Sequence, residues 1–220
     1  MIKGIIFDFD GTILDTETPE VETWEKVFRQ FGFEFPLERY LGRIGNTSTN
    51  LFVHDYLREF GLNENEIKQA VQEYHHIIET GGLLDSPREG VLAIINQVKE
   101  KDLRLGIASS SICDWVAPNL ANLNLTHHFD PIFTADDVAK TKPDPALYNL
   151  VLKAWDLSPD EAIVFEDSPN GITAAKSAGI FCIAVPNPIT RNMDIAHADM
   201  IFDSFVDVPL YAILADLNGS

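Results

Sequence analysis

Cysteine is scarce. Cys113 and Cys182 are the only two in 220 residues, and their spacing forms neither a metal-ligand pattern nor a disulfide framework. This argues against a disulfide-stapled scaffold and fits a reducing compartment. Positive charge is also short: 16 Lys and Arg face 34 Asp and Glu, for a formal net charge of −18. Such a surface repels nucleic acid and anionic lipid, so neither nucleic acid nor a membrane is an expected partner. An anionic small molecule would need local help from a metal or a few placed cations. No apolar stretch approaches the roughly 20 residues of a membrane span. Met1-Ile2-Lys3-Gly4 runs straight into an apolar strand, without the features of a signal peptide. The expectation is a soluble, cytoplasmic protein. Internal repeats and low-complexity tracts are lacking too, and at 45% hydrophobic residues the chain can build a substantial core.

The chemistry begins at once. In Ile5-Ile6-Phe7-Asp8-Phe9-Asp10-Gly11-Thr12 an apolar run ends in two aspartates one residue apart, followed by glycine. A short apolar run bounded by glycine predicts a buried strand. In open α/β sheets ligands bind beyond the carboxyl ends of the strands, which is where Asp8 and Asp10 fall. Two neighbouring carboxylates repel, so a cation or a shared proton should accompany them. Hard cations take oxygen ligands, and the pattern points to phosphoryl chemistry with Mg²⁺. Acidic residues after strands also serve as turn formers and caps, so the rest of the chain must decide.

Helical periodicity comes next. Val21, Trp24, Val27, Phe28 and Phe31 form one stripe, Phe52, Tyr56, Leu57 and Phe60 a second, and Ile67, Ala70, Val71, Tyr74, Ile77 and Ile78 a third. No strand is expected between about residues 15 and 80. Ser86-Pro87-Arg88-Glu89 reads as a capping box opening a helix with Val91, Leu92, Ile95 and Val98. From there strands centred on residues 104–108, 131–134, 162–165, 181–185 and 199–202 alternate with helices. The predicted fold class is α/β, a doubly wound parallel Rossmann-like sheet formed by residues 1–14 and 84–220, with an inserted all-helical cap subdomain at 15–83. Trp24, Trp115 and Trp155 stand at apolar helical positions, which predicts core packing.

Three further strand ends carry suggestive residues: Ser109-Ser110-Ser111, Lys142-Pro143 and Glu166-Asp167. Singly each is commonplace, since serines cap helices and lysines are usually solvated. Together they gather a hydroxyl, a cation and carboxylates at one edge of one sheet. The string Asp8-Phe9-Asp10-Gly11-Thr12-Ile13-Leu14-Asp15-Thr16-Glu17 resembles the first motif of the haloacid dehalogenase superfamily. Ser109, Lys142 and Glu166-Asp167 fall in order where its second, third and fourth motifs would lie. Lys140-Thr141-Lys142-Pro143-Asp144-Pro145 and Phe165-Glu166-Asp167-Ser168-Pro169-Asn170-Gly171 resemble the branch holding β-phosphoglucomutase and small-molecule phosphatases, in which a helical cap separates the first two motifs.

The resemblance implies roles. Asp8 would be the nucleophile that forms an aspartyl-phosphate. Asp10 would be the general acid and base, with Thr12 positioning it through its hydroxyl or its backbone. Mg²⁺ would be held by the Asp8 carboxylate, the Asp10 backbone carbonyl and Asp167, with Glu166 close by. Ser109 and Lys142 would bind the phosphoryl oxygens, with Gly11, Thr12 and Ser110 in the same phosphate loops. Thr16, Glu20, Arg43 and Asn46 are the candidates for reading the leaving group from the cap side.

Asp10 argues against a dehalogenase, which has no leaving alcohol to protonate. A phosphonatase would want a cap lysine for a Schiff base, whereas Lys26 and Lys68 lie on charged helical faces. By the resemblance, the mutase's cap lysine and arginine fall at Ile44 and Ser48 and its hinge histidine at Glu20, although Arg43 adjoins the lysine position. The reading is a Mg²⁺-dependent phosphatase of small phosphate monoesters, with β-phosphoglucomutase as the alternative. A non-enzymatic receiver, which also carries a phospho-accepting aspartate, would be half as long and without a helical insert.

Overall fold

The computed structural model describes residues 1–42, 44, 50–81 and 84–219. Arg43 and Asn46 lie outside the described residues, as does Ser48. The chain opens with strand β1 (Gly4–Phe7) and passes into four helices, α1 (Glu17–Gln30), α2 (Leu37–Leu41), α3 (Asn50–Glu59) and α4 (Glu64–Thr80). It then alternates: α5 (Val91–Glu100), β2 (Arg104–Ala108), α6 (Cys113–Asn122), β3 (Ile132–Phe133), α7 (Ala146–Trp155), β4 (Ala162–Glu166), α8 (Pro169–Ser177), β5 (Phe181–Ala184), β6 (Met200–Ile201) and α9 (Leu210–Asn218). The strands form one sheet in the order β3-β2-β1-β4-β5-β6, parallel at every pairing. β1 lies between β2 and β4, so the strand order reverses at its carboxyl end, where a doubly wound sheet leaves its crevice.

Alternation along the strands supplies two apolar layers. Ile5, Phe7, Ile107, Ile163, Phe165 and Ile183 face one layer with α5 and α9. Ile6, Ala108, Val164, Cys182 and Ala184 face the other with α7 and α8. Trp155 explains the small residues on that second face. Its ring lies so close that a Cβ at Gly4 would come within 2.5 Å of it and one at Gly106 within 2.9 Å, and its indole N–H donates to the Asp130 carbonyl at 2.9 Å.

Helices α1 to α4 gather round their own cluster, with Trp24, Phe28, Tyr40, Val53, Leu57 and Ile67 buried. Trp24 stacks on Tyr74 with ring centroids 4.3 Å apart. Two expectations need correction. The helix predicted to start at Ser86 starts at Val91, because Gly90 adopts φ +87 and its Cα packs against Phe205 and Val206 too closely for any Cβ. Leu92 is consequently turned outward, and Ile94 takes the buried position beside Val91, Ile95 and Val98. Trp115 is not core: it is 37% exposed.

Overpacking a close-packed core costs about 1–3 kcal/mol. Gly106→Ala is therefore expected to lower stability by about that amount in urea denaturation, whereas Gly61→Ala, with φ +91 but open space around its Cα, loses only the backbone term.

Candidate active site

Asp8 follows β1 directly, and its amide donates to the Phe165 carbonyl at 3.0 Å, which fixes it at the reversal point. Lys142, only 2% exposed, arrives from the loop after β3, and its ammonium is ion-paired with Asp8 and, at 2.7 Å, with Glu166. A lysine is buried so completely only when paired. Glu166 ends β4 and has no acceptor to spare. Its Oε1 also takes the Tyr148 hydroxyl at 2.6 Å, and its Oε2 takes the Asp167 and Ser168 amides and the Ser168 hydroxyl at 3.1–3.3 Å. The carboxylate lies so close to Gly171 that a Cβ there would collide with both of its oxygens.

Asp167 is held from both sides. Oδ1 accepts from the Thr12 hydroxyl at 3.2 Å, and Oδ2 accepts from Asn187 Nδ2 at 2.9 Å and the Thr190 hydroxyl at 3.2 Å. Of the two routes open to Thr12 for positioning Asp10, the hydroxyl is thus committed to Asp167 instead. Asp10 is oriented by other groups: its Oδ2 accepts from Ser111 at 2.7 Å and Ser109 at 3.4 Å, and its Oδ1 accepts from the Trp115 indole N–H at 2.7 Å. Gly11 turns the chain at φ +76, and a Cβ there would collide with Asp167 Oδ2. The hydroxyl of Ser110 is buried without a hydrogen-bond partner among the described residues.

On the helical side, Thr16 donates to Glu17 Oε2 at 3.1 Å, and Tyr40 donates to Glu20 at 2.8 Å. Glu20 therefore bonds within the helical insert. Glu17, at the start of α1, is buried and also accepts from Asn187 at 3.2 Å. Arg88 donates to the carbonyls of Gly11, Val185 and Pro186 at 2.6–2.8 Å, tying the Asp10 turn to the loop after β5.

Electrostatically the site is crowded with negative charge. Burial pushes the Asp8 carboxyl well up, Lys142 draws it down, and Glu166 and Asp167 push it up again. Burial and Glu166 push Asp167 up to about 7. Burial, then Asp167 and Asp10, raise Glu17 well above the usual carboxylate range. For Lys142 burial works against the charge, but Asp8 and Glu166 outweigh it and hold the ammonium above its ordinary value. Asp10 is raised by burial, with its Ser111 and Trp115 donors opposing.

The family model of haloacid dehalogenase-like hydrolases matches residues 5–185. The chain belongs to this family. It is 40% identical to the putative phosphatase YhcW of Bacillus subtilis (strain 168), over all of this chain and 99% of that protein. It is 31% identical to the validoxylamine A 7'-phosphate phosphatase of Streptomyces hygroscopicus subsp. limoneus, over 94% of this chain and 96% of that one. Among solved structures it resembles a mutant of CbbY from Rhodobacter sphaeroides in complex with xylulose-(1,5)bisphosphate, with TM-score 0.71 and 29% identity over 95% of this chain and 97% of the other. Among the described residues of this hydrolase no helix is long and apolar enough to cross a membrane.

Asp8, Glu166 and Asp167 can each present a carboxylate oxygen within 4.8 Å of the others. Oxygen-only donors suit a hard divalent cation, and one placed here would offset the mutual repulsion that, after burial, raises Asp8 and Asp167. The residues therefore fit Mg²⁺. Asp8 and Asp167 would be the ligands with capacity left, since Glu166 is filled by protein donors. The carboxylate of Asp10 faces the serines and the indole, outside this cluster. Glu17, Arg88, Ser111, Trp115, Tyr148, Asn187 and Thr190 were not anticipated as site residues. Glu17 and Ser111 lay inside recognised strings, and Asn187 stands just beyond the carboxyl end of β5, where a strand-end search could have found it.

In the metal-free protein Asp167 binds protons more tightly when folded than when unfolded, so stability falls as pH rises from about 4 to about 7 and stays lost above that. Melting in EDTA should show a lower Tm at pH 8 than at pH 5.5. Asp167→Asn should narrow the gap, and an unchanged gap would assign it to other groups.

Proposed function

We propose that this hydrolase is a Mg²⁺-dependent phosphatase of small phosphate monoesters that works through a phosphoaspartate on Asp8. The observation that carries the reading is the placement of Asp8 at the sheet's reversal point against a buried lysine, with Asp10 two residues on, held among hydroxyl and indole donors. Relatives named as phosphatases support the reaction class.

In the first step an Asp8 oxygen attacks phosphorus, the ester P–O bond breaks, and Asp10 gives its proton to the departing alkoxide. In the second, water attacks the phosphoaspartate, Asp10 takes its proton, and inorganic phosphate leaves with Asp8 restored. Lys142 and the hydroxyls of Ser109 and Ser110 are the donors for phosphoryl oxygens, Ser110 having a buried hydroxyl to offer. Gly11 lets the Asp10 turn approach closely. Mg²⁺, when bound by Asp8 and Asp167, would offset the charge between the carboxylates and the phosphoryl group. Residues 1–14 and 84–220 would form the catalytic core. The 15–83 insert, through Thr16, Glu20, Arg43 and Asn46, would read the leaving group and exclude water when closed.

The test is phosphate release from a panel of sugar phosphates and other small phosphomonoesters, with Mg²⁺ and with EDTA. Release should need Mg²⁺ and fall by about 10³-fold or more in Asp8→Asn. Conversion of β-glucose 1-phosphate to glucose 6-phosphate without free phosphate would establish the mutase instead, and no turnover at all would reopen the non-enzymatic reading. Asn187→Ala, which frees Asp167 from one donor, should weaken Mg²⁺ binding about 10- to 100-fold in calorimetric titration without substrate. Unchanged affinity would show that Asn187 does not orient the ligand.

A further inference from the structure

Trp115 stands apart from the other two tryptophans. Trp24 and Trp155 are buried in apolar clusters, whereas Trp115 leaves over a third of its surface exposed, which the hydrophobic effect does not favour. What its ring gains is a hydrogen bond to one oxygen of Asp10, at 2.7 Å. The local fold explains the reach. Trp115 is the third residue of α6, whose first turn lies just past the end of β2. Helical side chains lean toward their own N-terminus, so the indole is carried back over the strand ends toward the turn after β1. Val116 and Leu120 meanwhile bury the helix's other face.

We propose that Trp115 is a positioning residue for proton transfer: its indole N–H fixes the direction of the Asp10 carboxylate. This rests on the reading of Asp10 as the acid of the first step. The chemistry of the donors makes the indole distinctive. Ser109 and Ser111 hydroxyls can rotate and can both give and accept, whereas an indole N–H only donates and is fixed to a rigid ring. Oδ2, bonded to the serines, keeps adaptable partners, while Oδ1 has, among the described residues, a single fixed one. Removing that donor lets the carboxylate turn about its side-chain torsions, and a general acid contributes only when it lies within hydrogen-bond reach of the leaving oxygen.

The experiment uses the full chain with Mg²⁺ and a series of aryl phosphates from 4-nitrophenyl to phenyl phosphate, with phenol release followed in a single turnover. A good leaving group needs little protonation and a poor one needs much. The wild type should show a shallow dependence on leaving-group acidity, and Asp10→Asn a steep one. Trp115→Phe keeps a ring and removes the N–H. It should slow phenyl phosphate about 10- to 100-fold, part of the roughly 10²–10⁴-fold that a positioned general acid contributes, and leave 4-nitrophenyl phosphate nearly unchanged. Adding Trp115→Phe to Asp10→Asn should cost nothing further, because the indole acts through Asp10. Trp115→Leu, run alongside, should steepen the dependence likewise, so the result does not hang on the folding of one variant. An equal loss for both esters, a further loss on the Asp10→Asn background, or no loss at all would overturn the proposal. If Asp10→Asn itself stays shallow, the general-acid reading of Asp10 fails, and that outcome is read from a different variant than the one testing Trp115.

Discussion

The buried ion pair of Lys142 with Asp8 and Glu166 is the constraint from which the site is built. Three carboxylates crowd the ends of β1 and β4, and burial there penalises each charge. A buried pair is tolerated only when its geometry is good and its remaining valences are met. Glu166 meets that condition through Tyr148, Ser168 and two backbone amides. Gly171 leaves the space in which that carboxylate lies, and Ser168, which caps α8, gives it both an amide and a hydroxyl. Glu166 thus anchors the lysine, and the lysine in turn aligns Asp8. Replacing either charge would strand the other, so the pair behaves as one unit rather than as two contributions.

Much of this is legible in the chain. Parallel strands alternating with helices, the all-helical stretch before them and the strand-end motifs all come from periodicity and turn residues, and the four motif positions do converge at one sheet edge. What escapes such a reading has a common cause. Trp115 has the pattern of a core residue, because a helix position facing a strand end and one facing a core share the same 3.6 periodicity. Thr12 is two residues from Asp10 in sequence, but the turn at Gly11 carries its hydroxyl to Asp167. The capping-box pattern at Ser86 meets a stronger demand, the close packing of Gly90 on the Phe205 turn. Arg88 is there drawn inward to three carbonyls. These are tertiary effects, invisible to local propensity.

The loop after β5 joins the helical insert to the carboxylate centre. Asn187 gives one amide group to both Asp167 and Glu17, and its own Oδ1 takes the amides of Ile189 and Thr190. Two residues of this loop, Ile189 and Met193, pack against the cluster of α1 to α4. Three residues after Asp167 in the chain, Asn170 donates to the Ile44 carbonyl at 2.8 Å. Two polar bridges therefore run from the core to the insert, each made by a short asparagine side chain, and one of them also holds Asp167. A shift of the helices relative to the sheet must disturb one or both bridges, and Asp167 shares a donor with one of them. In this arrangement the position of the insert and the orientation of a metal-competent carboxylate are not independent. The charge balance strengthens the link, because Asp167 adds to burial in raising the proton affinity of Glu17 across the same Asn187 amide.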